Sequence, residues 1–172
     1  TPKIYGIGNP LIDIVISAKD DDVNALGLDK GVMHLVDENR QKEIFEYFKD
    51  SSPLYHPGGS APNTLLACAG LGVSALIAGK IGQDKFGDIY TKQVKEFGAI
   101  SGLVQGNGPT GSSIVLVTPD GERTMNTHLG MCRDYSKDDI DVNQLATANF
   151  FYFTGYMWDT ESQKSAIMSA IS

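Results

Sequence analysis

The sequence predicts an α/β fold: a central, mainly parallel sheet flanked by helices. Strand-like apolar runs alternate with amphipathic helical segments through most of the chain, which is the pattern of βαβ units. Nineteen glycines in 172 residues fit the many ligand-facing turns of such folds. The stretch 11–17 places Ile12, Ile14 and Ile16 at period two, as in a sheet with one open face.

Taken in order, residues 3–9 read as a buried strand and 11–17 as a second one. Asp20-Asp21-Asp22 reads as a solvated loop or helix start; no further ligands lie at the fixed spacing a metal loop needs. After Gly31, Val32 to Val36 is a short strand, and Glu38 to Lys49 carries Ile44, Phe45 and Phe48 at helical spacing. Ser60 to Leu71 is a second helix on Leu65, Leu66, Ala69 and Leu71, stopped by Gly70 and Gly72. Val73 to Ala78 is a strand, Lys85 to Phe97 a helix, and 98–104 a turn into a strand; right-handed βαβ crossovers and a parallel sheet follow. Thr110 to Val117 and Glu122 to Thr127, joined by Thr118-Pro119-Asp120-Gly121, have the signature of a hairpin. Asp138 to Ala148 reads as a helix, Phe150 to Thr154 as a buried strand, and Glu161 to Ser172 as a helix still running at the last residue, as expected of a piece of something longer.

A formal charge of −7 and a pI near 4.8 give no electrostatic footprint for nucleic acid or anionic lipid, so any phosphate must be held locally. No run of about 18 apolar residues exists, and no membrane span is expected. Cys68 in a helix and Cys132 in a loop have no metal or disulfide spacing, which suits reduced thiols in a cytoplasmic protein. His34, His56 and His128 share no metal spacing with each other or with the cysteines, and no metal site is expected.

His56-Pro57-Gly58-Gly59-Ser60-Ala61-Pro62-Asn63 is the most informative stretch. Paired glycines let backbone amides approach a ligand, Ser60 suits a helix cap, Pro62 suits a first turn, and Asn63 offers a donor and an acceptor one turn in. Taken alone, Gly58-Gly59 is equally a tight turn. Asn9 and Asp13 fall at and just beyond the end of the first strand, where open α/β sheets hold ligands, and a carboxylate beside an amide suits polyol hydroxyls. A turn-capping role for Asp13 stands beside that reading. Gly6-Ile7-Gly8-Asn9-Pro10-Leu11 lacks the third glycine of a dinucleotide fingerprint, and 106–111 leads into a strand instead of a helix. No Walker A sequence occurs. Arg123 suits phosphate oxygens as charge develops, or an exposed pair with Glu122 or Asp120. Leu35, Val36 and Tyr156 offer an apolar wall to a planar base.

Ile4 to Val15 with its Gly-Ile-Gly-Asn-Pro-Leu-Ile-Asp core, the Gly-Gly-Ser-x-x-Asn turn at 58–63, and Gly79-Lys80-Ile81-Gly82-Gln83-Asp84-Lys85-Phe86-Gly87 occur in an order that resembles the ribokinase-like, or phosphofructokinase B, family of sugar and nucleoside kinases. Within it the first two motifs look most like those of the adenosine kinases. The resemblance implies a ribokinase-like fold whose lid strands lie near 11–17, 32–36 and 53–56, with a homodimer through the lid as one arrangement. It implies ATP and Mg2+, and transfer of a phosphoryl group to the 5′-hydroxyl of a nucleoside, adenosine first. It assigns the sugar to Asn9, Asp13, Gly59, Ser60 and Asn63, supports the phosphate role of Arg123, and places Met125, Thr127 and Leu129 along the base or sugar pocket. Family members carry their base in a Gly-Ala-Gly-Asp motif of a C-terminal nucleotide-binding part; this chain has no Gly-x-Gly-Asp and alone is expected to be inactive. A sugar kinase acting on ribose or a ketohexose is the alternative, and a non-catalytic sugar- or nucleoside-binding module is a reading of another class.

Overall fold

A computed structural model describes all of residues 1–172. Nine strands build two sheets. The first is four-stranded and parallel in every pairing: β1 (Ile4–Ile7) and β5 (Ala75–Gly82) lie at its centre, with β6 (Ile100–Gly106) and β9 (Phe150–Tyr152) at its edges. Helices α3 (Ser60–Gly70) and α4 (Lys85–Glu96) cover one face, and α6 (Glu161–Ala170) covers the other.

The alternation of strand side chains assigns the two faces. Tyr5 and Ile7 of β1 and Leu76 and Ala78 of β5 pack with Ala166 and Ile167 of α6, while Ala75 and Ile77 pack with Leu65 and Leu66 of α3. Residues of a parallel sheet covered on both sides read as a continuous apolar run, and Ala75 to Ala78 is such a run, fully buried.

The second sheet is mixed and has five strands in the order β3 (Met33–Leu35), β8 (Arg123–His128), β7 (Gly111–Val117), β2 (Leu11–Ser17), β4 (Leu54–Gly58). The hairpin pairs its arms antiparallel, and β7 then pairs parallel with β2. Ile12, Ile14, Ile16, Ile114 and Leu116 turn inward to meet Val23 of α1 (Asp20–Ala25), Ile44 of α2 (Glu38–Tyr47) and Tyr90 of α4. The acidic triplet forms the first turn of α1, where negative charge is favourable. Each of the longer charged helices starts on a side-chain cap: Asp37 on the Arg40 amide, Asp84 on the Gly87 amide and Thr160 on the Gln163 amide.

Several expected elements differ: the strand read as buried over 150–154 is confined to Phe150–Tyr152 with Phe150 exposed, and the helix read through Ser172 ends at Ala170. The strand read over 73–78 runs instead from Ala75 to Gly82, because parallel pairing with β6 continues to Gly82↔Gly106 and carries the glycines along. The helix read over 138–148 is split: Asp141 starts α5 (Val142–Thr147) afresh by accepting from the Asn143 and Gln144 amides, and only a short 3-10 turn, Lys137–Asp139, precedes it.

Candidate functional site

After β1 the chain crosses from the first sheet to the second through Gly8-Asn9-Pro10. Asn9 is thereby left in the crevice outside a strand's C-terminal end, the usual ligand position in open α/β sheets, and Asp13 is carried onto the second sheet. Between the two sheets lies a cavity of about 490 Å³, inside the range of roughly 300–1,000 Å³ for small-molecule sites.

The cavity floor is the face of the second sheet opposite its isoleucines. Cross-strand register aligns Leu35, Thr127, Ser113, Asp13 and His56 in a single row across all five strands. With neighbouring strands about 4.8 Å apart, the row runs roughly 14 Å from Asp13 to Leu35. It grades from a carboxylate through two hydroxyls to an aliphatic group. The hydroxyls, Ser113 Oγ and Thr127 Oγ1, are buried and 2.9 Å apart. Met33 and Met125 pair in the next row on the same face and also line the cavity, with Arg123 two residues before Met125 and Leu129 just past the end of β8.

A second wall is the start of α3. Gly59 takes the N-cap position at φ +98°, a left-handed region that favours glycine, and a Cβ there would collide with the Asn9 carbonyl oxygen. Ser60 is therefore the first helical residue and caps nothing; it lines the cavity with Gly59, Ala61 and Asn63. Gly58 is not a lining residue, a correction to the sequence reading. It pairs with Leu11, and a Cβ on it would lie 2.5–2.9 Å from the Asp13 carboxyl atoms, so it makes room for Asp13. The fully buried Tyr90 hydroxyl donates to the Gly58 carbonyl at 3.0 Å and fixes the turn. Thr154, Tyr156 and Asp159, beyond β9, form the third wall.

Burial pushes the Asp13 carboxyl above its ordinary range, and the nearby charges of Arg123 and His56 partly oppose this. Neither surface pairing that the sequence allowed for Arg123 forms. Lys30 takes Asp120, which with the Thr118 hydroxyl brings that carboxyl down to about 2, and Arg123 has no ion-pair partner. Arg123 borders the cavity instead. Asn9 is held by Gln163 of α6, whose side-chain Nε2 donates to Asn9 Oδ1 at 2.7 Å.

Asp84 accepts from the Gly87 amide, the Thr110 amide and the Thr110 hydroxyl at 2.9, 2.8 and 2.6 Å, locking the end of β5 to the start of β7. Burial works to raise its pKa, but these hydrogen bonds outweigh it and the net shift is downward. Cys132 is buried and free, and burial pushes its thiol up to about 12; Cys68 is also free. No three His, Cys, Asp or Glu side chains converge to hold a metal, and no helix is long and apolar enough to cross a membrane.

Of the residues singled out from sequence, the cavity collects Asn9, Asp13, Leu35, Gly59, Ser60, Asn63, Arg123, Met125, Thr127, Leu129 and Tyr156. Val36 stands outside it: successive strand side chains face opposite ways, and its amide donates to the Thr127 carbonyl at 2.9 Å while its side chain borders a shallower depression with Asp37 and His128. Leu11, Met33, Ala61, Ser113, Thr154 and Asp159 line the cavity unforeseen. Leu11 and Met33 were available from alternation with Asp13 and Leu35, and Thr154 from its place at a strand's C-terminal end. Ser113 depends on the parallel pairing of β2 with β7, which no local signal encodes.

The crevice thus holds Asn9, Asp13 and Asn63 on one side and Leu35, Met33 and Met125 on the other. The profile of the pfkB family carbohydrate kinases matches residues 39–172, and the chain belongs to that family. Its fold matches the adenosine kinase from Sinorhizobium meliloti with a TM-score of 0.87 at 33% identity, over 98% of this chain and 52% of that one. It matches a probable sugar kinase protein from Rhizobium etli CFN 42 with a TM-score of 0.88 at 32% identity, over 98% and 51%. In sequence it is similar to the adenosine kinase of Schizosaccharomyces pombe, 28% identical over 141 residues, which is 80% of this chain and 40% of that protein. The chain thus spans about half, or less, of the length of these relatives.

Proposed function

We propose that this chain supplies the acceptor-binding part of an ATP-dependent nucleoside kinase, with adenosine as the first substrate to test. The carrying observation is the graded row across the second sheet. A ligand with hydroxyls at one end and a flat apolar body at the other fits a cavity whose one end holds Asp13, Asn9 and Asn63 and whose other end holds Leu35, Met33, Met125 and Tyr156. A free pentose would occupy the polar end alone and leave the apolar half to water.

In this reading Asp13 accepts from ribose hydroxyls, Asn9 and Asn63 complete their hydrogen bonds, and Leu35 and Tyr156 sandwich the base. Arg123 stabilises charge on the γ-phosphoryl group as it passes from ATP to the 5′-oxygen, releasing ADP and the hydroxyl proton. Mg2+ arrives with the ATP phosphates, as is usual for an ion that keeps much of its own water. The sequence holds no Gly-x-Gly-Asp, and none of these side chains takes the part of the base. The second sheet serves as the lid that excludes water. Its outer strand β4, with Leu54 and Tyr55 exposed, is the edge through which we propose two copies pair.

A sugar kinase is the second reading, favoured by the Ser113–Thr127 hydroxyl pair, which would satisfy further hydroxyls of a ketohexose. The test is ATP-dependent phosphorylation by the complete protein across adenosine, inosine, ribose and fructose. Preference for a nucleoside is expected; preference for fructose or ribose transfers the assignment to the sugar kinases, and no turnover restores the non-catalytic binding module.

A further inference from the structure

We propose that Gln163 is a positioning residue that fixes the orientation of the Asn9 side-chain amide and so decides which hydrogen bond Asn9 offers the ligand. The inference rests on the acceptor-site reading above. Gln163 lies on α6, fully buried, and its hydrogen-bond capacity is spent almost entirely on holding one arrangement. Its two Nε2 protons go to Asn9 Oδ1 and to the Cys132 carbonyl, both at 2.7 Å, and its Oε1 lies 3.2 Å from the Thr160 hydroxyl, whose proton it shares with the Arg133 carbonyl at 3.1 Å. Thr160 Oγ1 in turn accepts from the Gln163 backbone amide as the cap of α6.

The Cys132 carbonyl sets the sense of the whole arrangement. The Cys132 carbonyl only accepts, so the Gln163 nitrogen must face it, and the same nitrogen then faces Asn9. Asn9 is left with its Oδ1 engaged and its Nδ2 free at the cavity. The polar end of the site is thereby divided into one donor, Asn9, and one acceptor, Asp13. With Asp13 accepting the protons of both hydroxyls of a vicinal diol, the diol has only lone pairs left to offer Asn9, which the Nδ2 donor satisfies and an Asn9 oxygen turned the same way would repel. A freely rotating Asn9 would spend part of its time in that second state.

The chain from α6 to β1 has a readout that packing alone does not give. In the complete protein, Gln163→Leu and Gln163→Met each remove the donor while keeping an apolar volume beside Met157. Loss of one neutral hydrogen bond's orientation corresponds to roughly a three- to ten-fold rise in KM for adenosine, with kcat changed less than KM. The same substitutions made in an Asn9→Ala background should produce no further rise, because the residue through which Gln163 acts is gone. Melting temperatures of all variants are measured alongside. Equal KM effects of Gln163→Met with and without Asn9→Ala would overturn the proposal, as would an unchanged KM in the folded single variants. Should wild-type protein turn over no nucleoside, or Asn9→Ala have no effect on KM, the acceptor-site reading itself fails and the proposal with it.

Discussion

Replacing Asp13 by asparagine should weaken ligand binding and strengthen the fold at the same time. The carboxylate lies at the polar end of the row that floors the cavity, where burial penalises its charge more than Arg123 and His56 compensate. A hydrogen bond to a charged group contributes about 1.5–3 kcal/mol and a neutral one about 0.5–1.5, so losing the charge towards two ligand hydroxyls costs about 2–3 kcal/mol, or roughly a 30- to 150-fold rise in Kd. The stability effect has the opposite sign. In the unfolded chain Asp13 titrates near its ordinary value of 3.8 and in the folded chain above it. Between those values the folded state binds more protons, so stability falls as pH rises through the window and the penalty is complete above the folded-state value. The asparagine variant, having no charge to desolvate, carries no such penalty. Urea titrations of both proteins between pH 4 and 8, with calorimetry of adenosine binding at pH 7.5, should therefore show the variant more stable at pH 7.5, with the gain narrowing towards pH 4. A variant less stable at every pH, or one that binds as tightly as wild type, would refute the reasoning.

Two other substitutions separate the parts of the site, and a third tests the link between the end of β5 and the start of β7. Arg123→Gln in the complete protein should lower kcat by roughly 10²–10³, the usual cost of removing one transition-state donor, with adenosine Kd little changed; a kcat within three-fold of wild type contradicts the role given to this side chain. Tyr156→Ala removes an aromatic face worth about 1–3 kcal/mol per stacked base, so adenosine binding by calorimetry should weaken roughly 5- to 150-fold while ribose binding stays the same. Asp84→Ala deletes a helix cap and two bonds to Thr110 and should destabilise the fold by about 2–3 kcal/mol in urea at pH 7. Because the folded-state pKa of Asp84 is depressed, its contribution is full above 3.8 and lost as pH falls through the folded value, so the two proteins should converge in acid.

The parallel sheet was legible because its signals are local. Ala75-Leu76-Ile77-Ala78 reads as a strand buried on both faces, and Leu65 and Leu66 read as the inward stripe of α3. The polar end of the cavity was legible for the same reason: Asn9 follows a strand, and Gly58-Gly59 precedes a helix. The composition of the second sheet was less so. Nothing near Ser113 announces that β7 pairs parallel with β2 across nearly a hundred residues, and that pairing is what brings Ser113 beside Asp13. Gly58 shows the converse limit. Its motif marks it as a ligand glycine, yet its missing Cβ faces the Asp13 carboxylate, a reason that only the β2–β4 register makes visible. Gln163 carries no sequence signal at all, since an interior glutamine of an amphipathic helix reads as solvated until its partners, Asn9 after β1 and the loop at Cys132, are in place.

The central claim is that the row from Asp13 to Leu35 binds a nucleoside lengthwise. A crystal structure of the complete protein with adenosine tests it most directly. The account predicts ribose hydroxyls within hydrogen-bond distance of Asp13 and Asn9 and the base between Leu35 and Tyr156, with Ser113 and Thr127 beneath it. Adenosine bound outside this cavity, or lying in it with its base against Asp13, would contradict it.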